Sequence, residues 1–358
     1  MTAHEKDESR IAIRTIKTHK YPHLDEIVAI WLLKTFGGEK YSGLDTAKLE
    51  FENGSGEQTV TDGNVTDWEK SGVLIIGTGN GRFDEHKKGA GVLAGDCAAS
   101  LVAGYLGVAD HPALRQILRF TLVNDRQGSS QPFDVASVIK SLYRQFPDQP
   151  EVSMNWAITA IQAKYEEQSA FFSKTAEEFK KAKIKQIDFG HKQIILAAAV
   201  SDDPQFNKYA RSQGVAIIIQ RDSKGHTQIF TNKKVADFRL HDIAKILRLE
   251  EQKLRETSNP VINWHDLAAE GMLANWYYQQ ETETLLNGCL TAPDVEPTVL
   301  SLEFITRAVE VGINPNYFHQ KCPIVSSQKN CLKHSCTWYH WGLHRCCQQR
   351  YEMNHKRR

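Results

Sequence analysis

No apolar run in the sequence approaches the ~20 residues that a helix needs to cross a bilayer, so a membrane-spanning protein is not expected. The first ten residues, MTAHEKDESR, are polar and charged, unlike a secretory signal, and a cytoplasmic location is the expectation. Net charge is nearly absent, at +1. Cysteine is scarce until the end of the chain: Cys97 and Cys289 stand alone, and five more crowd the last stretch, among them no C-x2-C pair. Internal repeats and low-complexity segments are also lacking, which argues against a solenoid or a linker-rich scaffold.

What is present is an ordinary globular balance, 41% hydrophobic and 24% charged over 358 residues, enough for two domains and an appendage. RIAIRTIKTH (10–19) reads as a strand, and LDEIVAIWLLKTFGG as a helix stopped by Gly37-Gly38. LEFENG and GVLIIGTGNG read as further strands, the second a continuous apolar run of the buried parallel kind. GDCAASLVAGYLG and HPALRQILRFTLVND have the pattern of packed helices. Strands alternating with helices predict an α/β fold with a largely parallel sheet.

SLYRQFPDQPE (141–151) has the two prolines of an interdomain connection. A long helix is predicted over roughly 152–183, with Trp156, Ile161, Tyr165, Phe172 and Phe179 as core positions. KQIILAAAV, GVAIIIQRD and HTQIFTN then predict a second, smaller α/β unit that ends with the helix HDIAKILRLEEQKLRE. Three regions result: a first domain over 10–145, a smaller α/β domain over 152–256, and a helical Cys-rich C-terminal module over 257–358.

In open α/β sheets, ligands sit where strands end, and three polar sites fall there. THKYPHLDE supplies His19, His23 and Asp25, with Glu26 behind them. GRFDEHKKG supplies Asp84, Glu85 and His86, and TLVNDRQG supplies Asp125. Imidazoles and carboxylates together suit a divalent ion, Mn²⁺ (or Mg²⁺) more readily than Ca²⁺. Such an ion acidifies water and neutralises charge on a phosphoryl oxygen. Taken singly, His19 also fits a core histidine, Asp25 a helix N-cap and Asp125 a turn residue.

The ordered set resembles the DHH phosphoesterase superfamily, most nearly its Myg-type nuclease branch. The motifs are an H-x-x-x-[DH]-x-D element after the first strand, a D-[HE]-H element after a later strand, a small-residue helix (AASLVAGYLG) and a lone Asp. The resemblance covers about residues 10–250. It implies a metal-dependent nuclease or phosphodiesterase with His19, His23, Asp25, Asp84 and Asp125 as metal ligands. By the same implication His86 contacts the phosphate and joins Asp84 and Asp125 as a catalytic residue, with Arg239 and His241 as substrate-holding residues in the second domain. Two positions depart from the family. Glu85 stands where the family has its central His, and LIIGTGNG offers Gly77 and Thr78 where the family has a metal-bridging Asp, which leaves either one metal instead of two or a bridging role for Asp62 or Asp67.

The tail has the spacing C-x8-C-x4-C-x9-C at Cys322, Cys331, Cys336 and Cys346, a donor set for Zn²⁺ or an iron–sulfur cluster. Its cations, Lys321, Lys329, Lys333, Arg345, Arg350, Lys356, Arg357 and Arg358, face Glu352 alone. Trp338 and Trp341 lie among Arg345 and Arg350, the ingredients of single-strand nucleic-acid binding or simply of a small core. The expected activity is hydrolysis of phosphodiester bonds in single-stranded nucleic acid or oligonucleotides. Its rivals are a catalytically degenerate nucleic-acid-binding subunit and a cyclic- or dinucleotide phosphodiesterase; a homo-oligomer stays open.

Overall fold

Burial alternates along Thr15–His19, with Ile16 and Thr18 inward, and this short strand organises the first part of the chain. The computed structural model of the protein describes residues 10–52, 65–86, 96–128, 131–256, 275–288, 292, 294–313, 336–344 and 346–347. These residues form a mixed α/β fold, and the chain divides into two compact units, 1–172 and 173–358. Among the described residues no helix is long and apolar enough to cross a membrane.

In the first unit the stretch read as one strand splits into β1 (Ile11–Ala12) and β2 (Thr15–His19). The next elements are α1 (Leu24–Phe36), β3 (Tyr41–Ser42), β4 (Lys48–Glu52), α2 (Val65–Lys70) and β5 (Val73–Ile75). Strand β1 pairs with β3, and β2 lies between β4 and β5; every one of these pairings is parallel. Four helices follow, α3 (Ala98–Leu106), α4 (Arg115–Gln127), α5 (Val135–Gln145) and α6 (Pro150–Ala170). Helix α1 is buried from Leu24 to Leu33 and packs against α3, α4, α5 and α6, as an all-round apolar helix must. Its N-terminus therefore sits at the heart of the unit, four residues beyond the end of β2.

The connection expected at 141–151 is instead the end of α5 and the start of α6. Tyr143 and Met154, on either side of the prolines, belong to one apolar core together with Ile161. The long helix thus completes the first unit, and the division into units comes after it. Ile161 is buried and Tyr165 packs partly against that core, whereas Trp156 and Phe172 are about two-fifths exposed.

The second unit carries α7 (Ala176–Lys180), β6 (Lys183–Phe189), β7 (Lys192–Val200), α8 (Phe206–Ser212), β8 (Ile217–Arg221), β9 (Thr227–Thr231) and α9 (His241–Leu254). After them come β10 (Tyr277–Gln279), β11 (Thr284–Asn287), α10 (Leu302–Ile313) and α11 (Thr337–His340). The six strands run in the order β10-β11-β9-β8-β7-β6. Only β7 and β8 pair in parallel, so this sheet is mostly antiparallel, unlike the parallel sheets of the first unit. Ala197, Ala199 and Ile218 face Phe206 and Ala210 of α8, while Leu196, Ala198, Ile217 and Ile219 join the core that holds α9 and α10.

The long helical stretch expected over 152–183 is present, helical from Pro150 to Lys180, and strand β6 follows it unforeseen. One expectation fails here: β10 and β11 bring the region read as a separate helical module into the sheet. The described part of the tail likewise buries Trp341, Leu343 and Cys346 in the same core.

Candidate metal centre

A parallel strand that ends and a buried helix that begins leave little room between them, and the sequence fills that corner with polar residues. His23 is the N-cap of α1, with extended backbone, and its amide donates to the carboxylate of Glu26 in the first helical turn. Asp25 is therefore not the cap but the second residue of the helix. Both acids are almost fully buried, at 3% and 2% exposure, where the positive end of the helix dipole favours negative charge. Glu26 also pairs with Nδ1 of His19 at the end of β2, which fixes the imidazole and holds its pKa above the ordinary histidine value.

Gly77 explains how Glu26 fits. After β5 the chain forms a parallel bridge from Ile76 to Phe83, and Gly77 turns with φ +67°. A Cβ placed there would lie 2.5 Å from Cγ and 2.6 Å from Oε1 of Glu26. The site that the sequence reading held vacant, where an Asp was missing, is filled by a carboxylate arriving from α1. Asp67 is exposed on α2 and does not line the cavity, and Asp62 lies outside the described residues.

The loop after Gly77 presents Glu85, not Asp84. The Asp84 carboxylate accepts from the amides of Asn80 at 2.8 Å and His86 at 2.9 Å, so it shapes its own turn. Glu85 lines the cavity, together with the side chain of His86, which is 74% exposed. Asp125 comes from the last turn of α4, a helix end and not the strand end expected. Asp25, Glu85 and Asp125 each offer a ligand atom, and those atoms lie within 4.8 Å of one another; the groups His23, Asp25 and Glu26, and Asp84, Glu85 and His86, do the same, so Asp84 stays within a metal-capable cluster.

Electrostatics marks the first trio. Burial, reinforced by the charges of Glu26, Glu85 and Asp125, pushes Asp25 up to about 8. Burial likewise pushes Glu85 up to about 7 and raises Asp125. Asp25 Oδ2 and Glu85 Oε2 are buried without a hydrogen-bond partner among the described residues. Unpaired buried carboxylate oxygens are costly, and a divalent cation is the partner that satisfies several at once. The cavity they line has a volume of about 900 Å³.

The other expected site residues lie in the second unit. Arg239 is committed to buried Glu283 at 3.0 Å and to Asp237 at 3.3 Å, and His241 begins α9 beside Asp242. Trp341 is 8% exposed, with its indole donating to Glu250 at 2.7 Å and its ring edge-on to Phe304. No ring face is left for a base, so Trp341→Ala is expected to cost ~3–5 kcal/mol of stability. A lowered urea midpoint with unchanged single-strand affinity would show it. Trp338 packs partly against the same core. Of the four expected tail ligands, Cys346 is buried in that core and Cys336 is half-buried, and among the described residues neither belongs to a metal-capable cluster. Cys322, Cys331, Arg345 and Arg350 lie outside the described residues.

No protein-family model matches the chain, and no curated protein matches it. One solved structure, described as an uncharacterized protein from Helicobacter pylori G27, aligns with 85% of this chain and 99% of its own at 8% identity and a TM-score of 0.26. A likeness of that size carries no argument about this protein.

Sequence reasoning missed Glu26 as the residue that fills the Gly77 corner, and it gave Glu85 second place to Asp84. The signals were present: a capping box at His23–Glu26 and a glycine just beyond an apolar strand.

Proposed function

We propose that this protein is a metal-dependent phosphoesterase of the DHH type that cleaves phosphodiester bonds in single-stranded nucleic acid or short oligonucleotides. The observation that carries the reading is the convergence of Asp25, Glu85 and Asp125 from three separate segments, two of them with buried, unpartnered oxygens. All-oxygen donors with imidazoles close by fit Mn²⁺ or Mg²⁺ better than a softer ion. Asp25, Glu85 and Asp125 would hold it, with His23 in reach. Bound there, the ion lowers the pKa of water and offsets charge that develops on a phosphoryl oxygen.

The chain's own residues do the rest. Glu26 keeps the His19 ring in place through Nδ1. His86 keeps its Nδ1 3.3 Å from both Asp84 and Glu85, which leaves Nε2 to donate to a phosphate oxygen or to a leaving group. The order of motifs along residues 10–125 supports the DHH assignment.

One observation favours the rival reading of a binding subunit without catalysis: both oxygens of Asp84 are engaged by its own loop. Oligonucleotides incubated with the protein separate the two. With Mn²⁺ they should shorten, with EDTA they should not, and Asp125→Ala should slow cleavage by at least ~100-fold, since even outer-shell changes cost 10–100-fold. Equal inertness of wild type and variant with Mn²⁺ leaves the binding subunit.

A further inference from the structure

The cavity is not uniformly acidic. Lys140 and Arg144, one turn apart on α5, line it together with Asp25, Glu85 and Asp125, and among the described residues neither cation has an ion-pair partner. Nδ2 of Asn124, on α4 beside Asp125, is buried and donates to nothing among the described residues. The buried carboxylate oxygens call for a cation; an idle amide donor with two idle cations calls for an anion. The two needs occur in one cavity.

A third element is flat. Tyr21 lines the same cavity, is 38% exposed, and is fixed at both ends. Its hydroxyl donates to the carbonyl of Pro147 at 3.0 Å, and its ring rests against Tyr143 with centroids 5.3 Å apart. Nζ of Lys20 lies over the ring 5.3 Å from its centroid, on a mobile side chain that a stacking base would displace toward the phosphate. Tyr143 is itself anchored, its hydroxyl donating to the carbonyl of Pro22 at 2.9 Å. A ring held this way loses little freedom when a flat partner stacks on it.

We infer that this face of the cavity is a nucleoside-phosphate subsite, in which Lys140, Arg144 and Asn124 hold the phosphate and Tyr21 carries the base. The inference rests on the phosphoesterase reading for its metal, but its residues are different ones. It places substrate recognition on the first unit, on α4, α5 and the β2–α1 connection. A volume of about 900 Å³ lies near the top of the range for small-molecule pockets, so one nucleotide unit or two would fill it while a longer strand would leave it. The guanidinium of Arg144 suits a phosphate by its paired donors, and Lys140 acts as a point charge.

The test is calorimetric titration of the full chain with adenosine 5′-monophosphate and with inorganic phosphate, each in Mn²⁺ and in EDTA. Mn²⁺ itself is titrated in parallel. The Lys140→Ala/Arg144→Ala variant should bind the nucleotide at least ten-fold more weakly and lose much of the salt dependence, while its Mn²⁺ affinity stays the same or rises. Tyr21→Leu should weaken the nucleotide and leave phosphate unchanged. Both changes are at exposed positions, so the fold is retained, and Mn²⁺ binding no weaker than that of wild type verifies it. Nucleotide binding that ignores both variants, or no nucleotide binding by wild type in either buffer, overturns the subsite. Absence of Mn²⁺ binding, with nucleotide binding still dependent on Lys140 and Arg144, instead overturns the metal reading and leaves the subsite standing.

Discussion

Replacing Gly77 by alanine is expected to destabilise the first unit by about 2–5 kcal/mol, far more than an ordinary surface change. Two costs combine. A side chain at φ +67° costs roughly 1–2 kcal/mol. The added Cβ also overlaps Cγ and Oε1 of Glu26, at 2.5 and 2.6 Å, and overpacking of that kind costs about 1–3 kcal/mol. Glu26 cannot step aside cheaply, because it is buried and tied to both His19 and the amide of His23. Gly77→Asp, which by sequence alone looks like the restoration of a missing ligand, should fail for the same reason. Chemical denaturation of the Gly77→Ala protein measures the loss. Introducing Glu26→Ala into that background should make the Gly77→Ala step much milder, since the overlap is gone and only backbone strain remains. A Gly77→Ala protein within 1 kcal/mol of wild type would mean that Glu26 does not occupy the corner.

Asp25→Asn is expected to stabilise the protein in EDTA at high pH while abolishing its use for a cation. The folded state raises Asp25 from 3.8 to about 8, so between those values the native protein holds a proton that the unfolded chain has released. Stability then falls as pH rises through that window and levels off above it. Glu85, raised to about 7, adds to the slope in the same direction. An asparagine never ionises and escapes the loss. Near pH 4 the two proteins should melt at similar temperatures, and at pH 8.5 the variant should melt at least ~5–10 °C higher, the equivalent of several kcal/mol. Thermal scans at both pH values in EDTA check this; a variant that is less stable at pH 8.5 would remove Asp25 from the buried acidic cluster.

Much of the first unit was legible from periodicity. The apolar residues of α1, the small residues of α3 and the continuous run ending in β5 each have one stable placement, buried against a neighbour. Their polar ends then had to meet, which is why His23, Asp25 and Asp125 line one cavity. The interdomain connection misled because proline reads as a break, whereas Pro150 simply opens α6 at a position where its missing N–H costs nothing. Strand β6 was hidden for another reason: KIKQIDF buries only Ile187, so the pattern carries little of its pairing with β7. Strands β10 and β11 are short and depend on β9 for their place, a long-range pairing invisible to local pattern. The assignment of Glu85 over Asp84 turned on backbone amides of a tight turn, which no spacing of side chains reveals.

The central claim is that Asp25, Glu85 and Asp125 form one site for a divalent cation. Native mass spectrometry of the full chain, stripped with EDTA and returned to Mn²⁺, tests it most directly, with Asp25→Asn and Asp84→Asn measured alongside. Retained Mn²⁺ in wild type, loss in Asp25→Asn, and retention in Asp84→Asn whenever that variant is folded are the predicted pattern. Equal Mn²⁺ content in wild type and Asp25→Asn, or none in wild type, would contradict it.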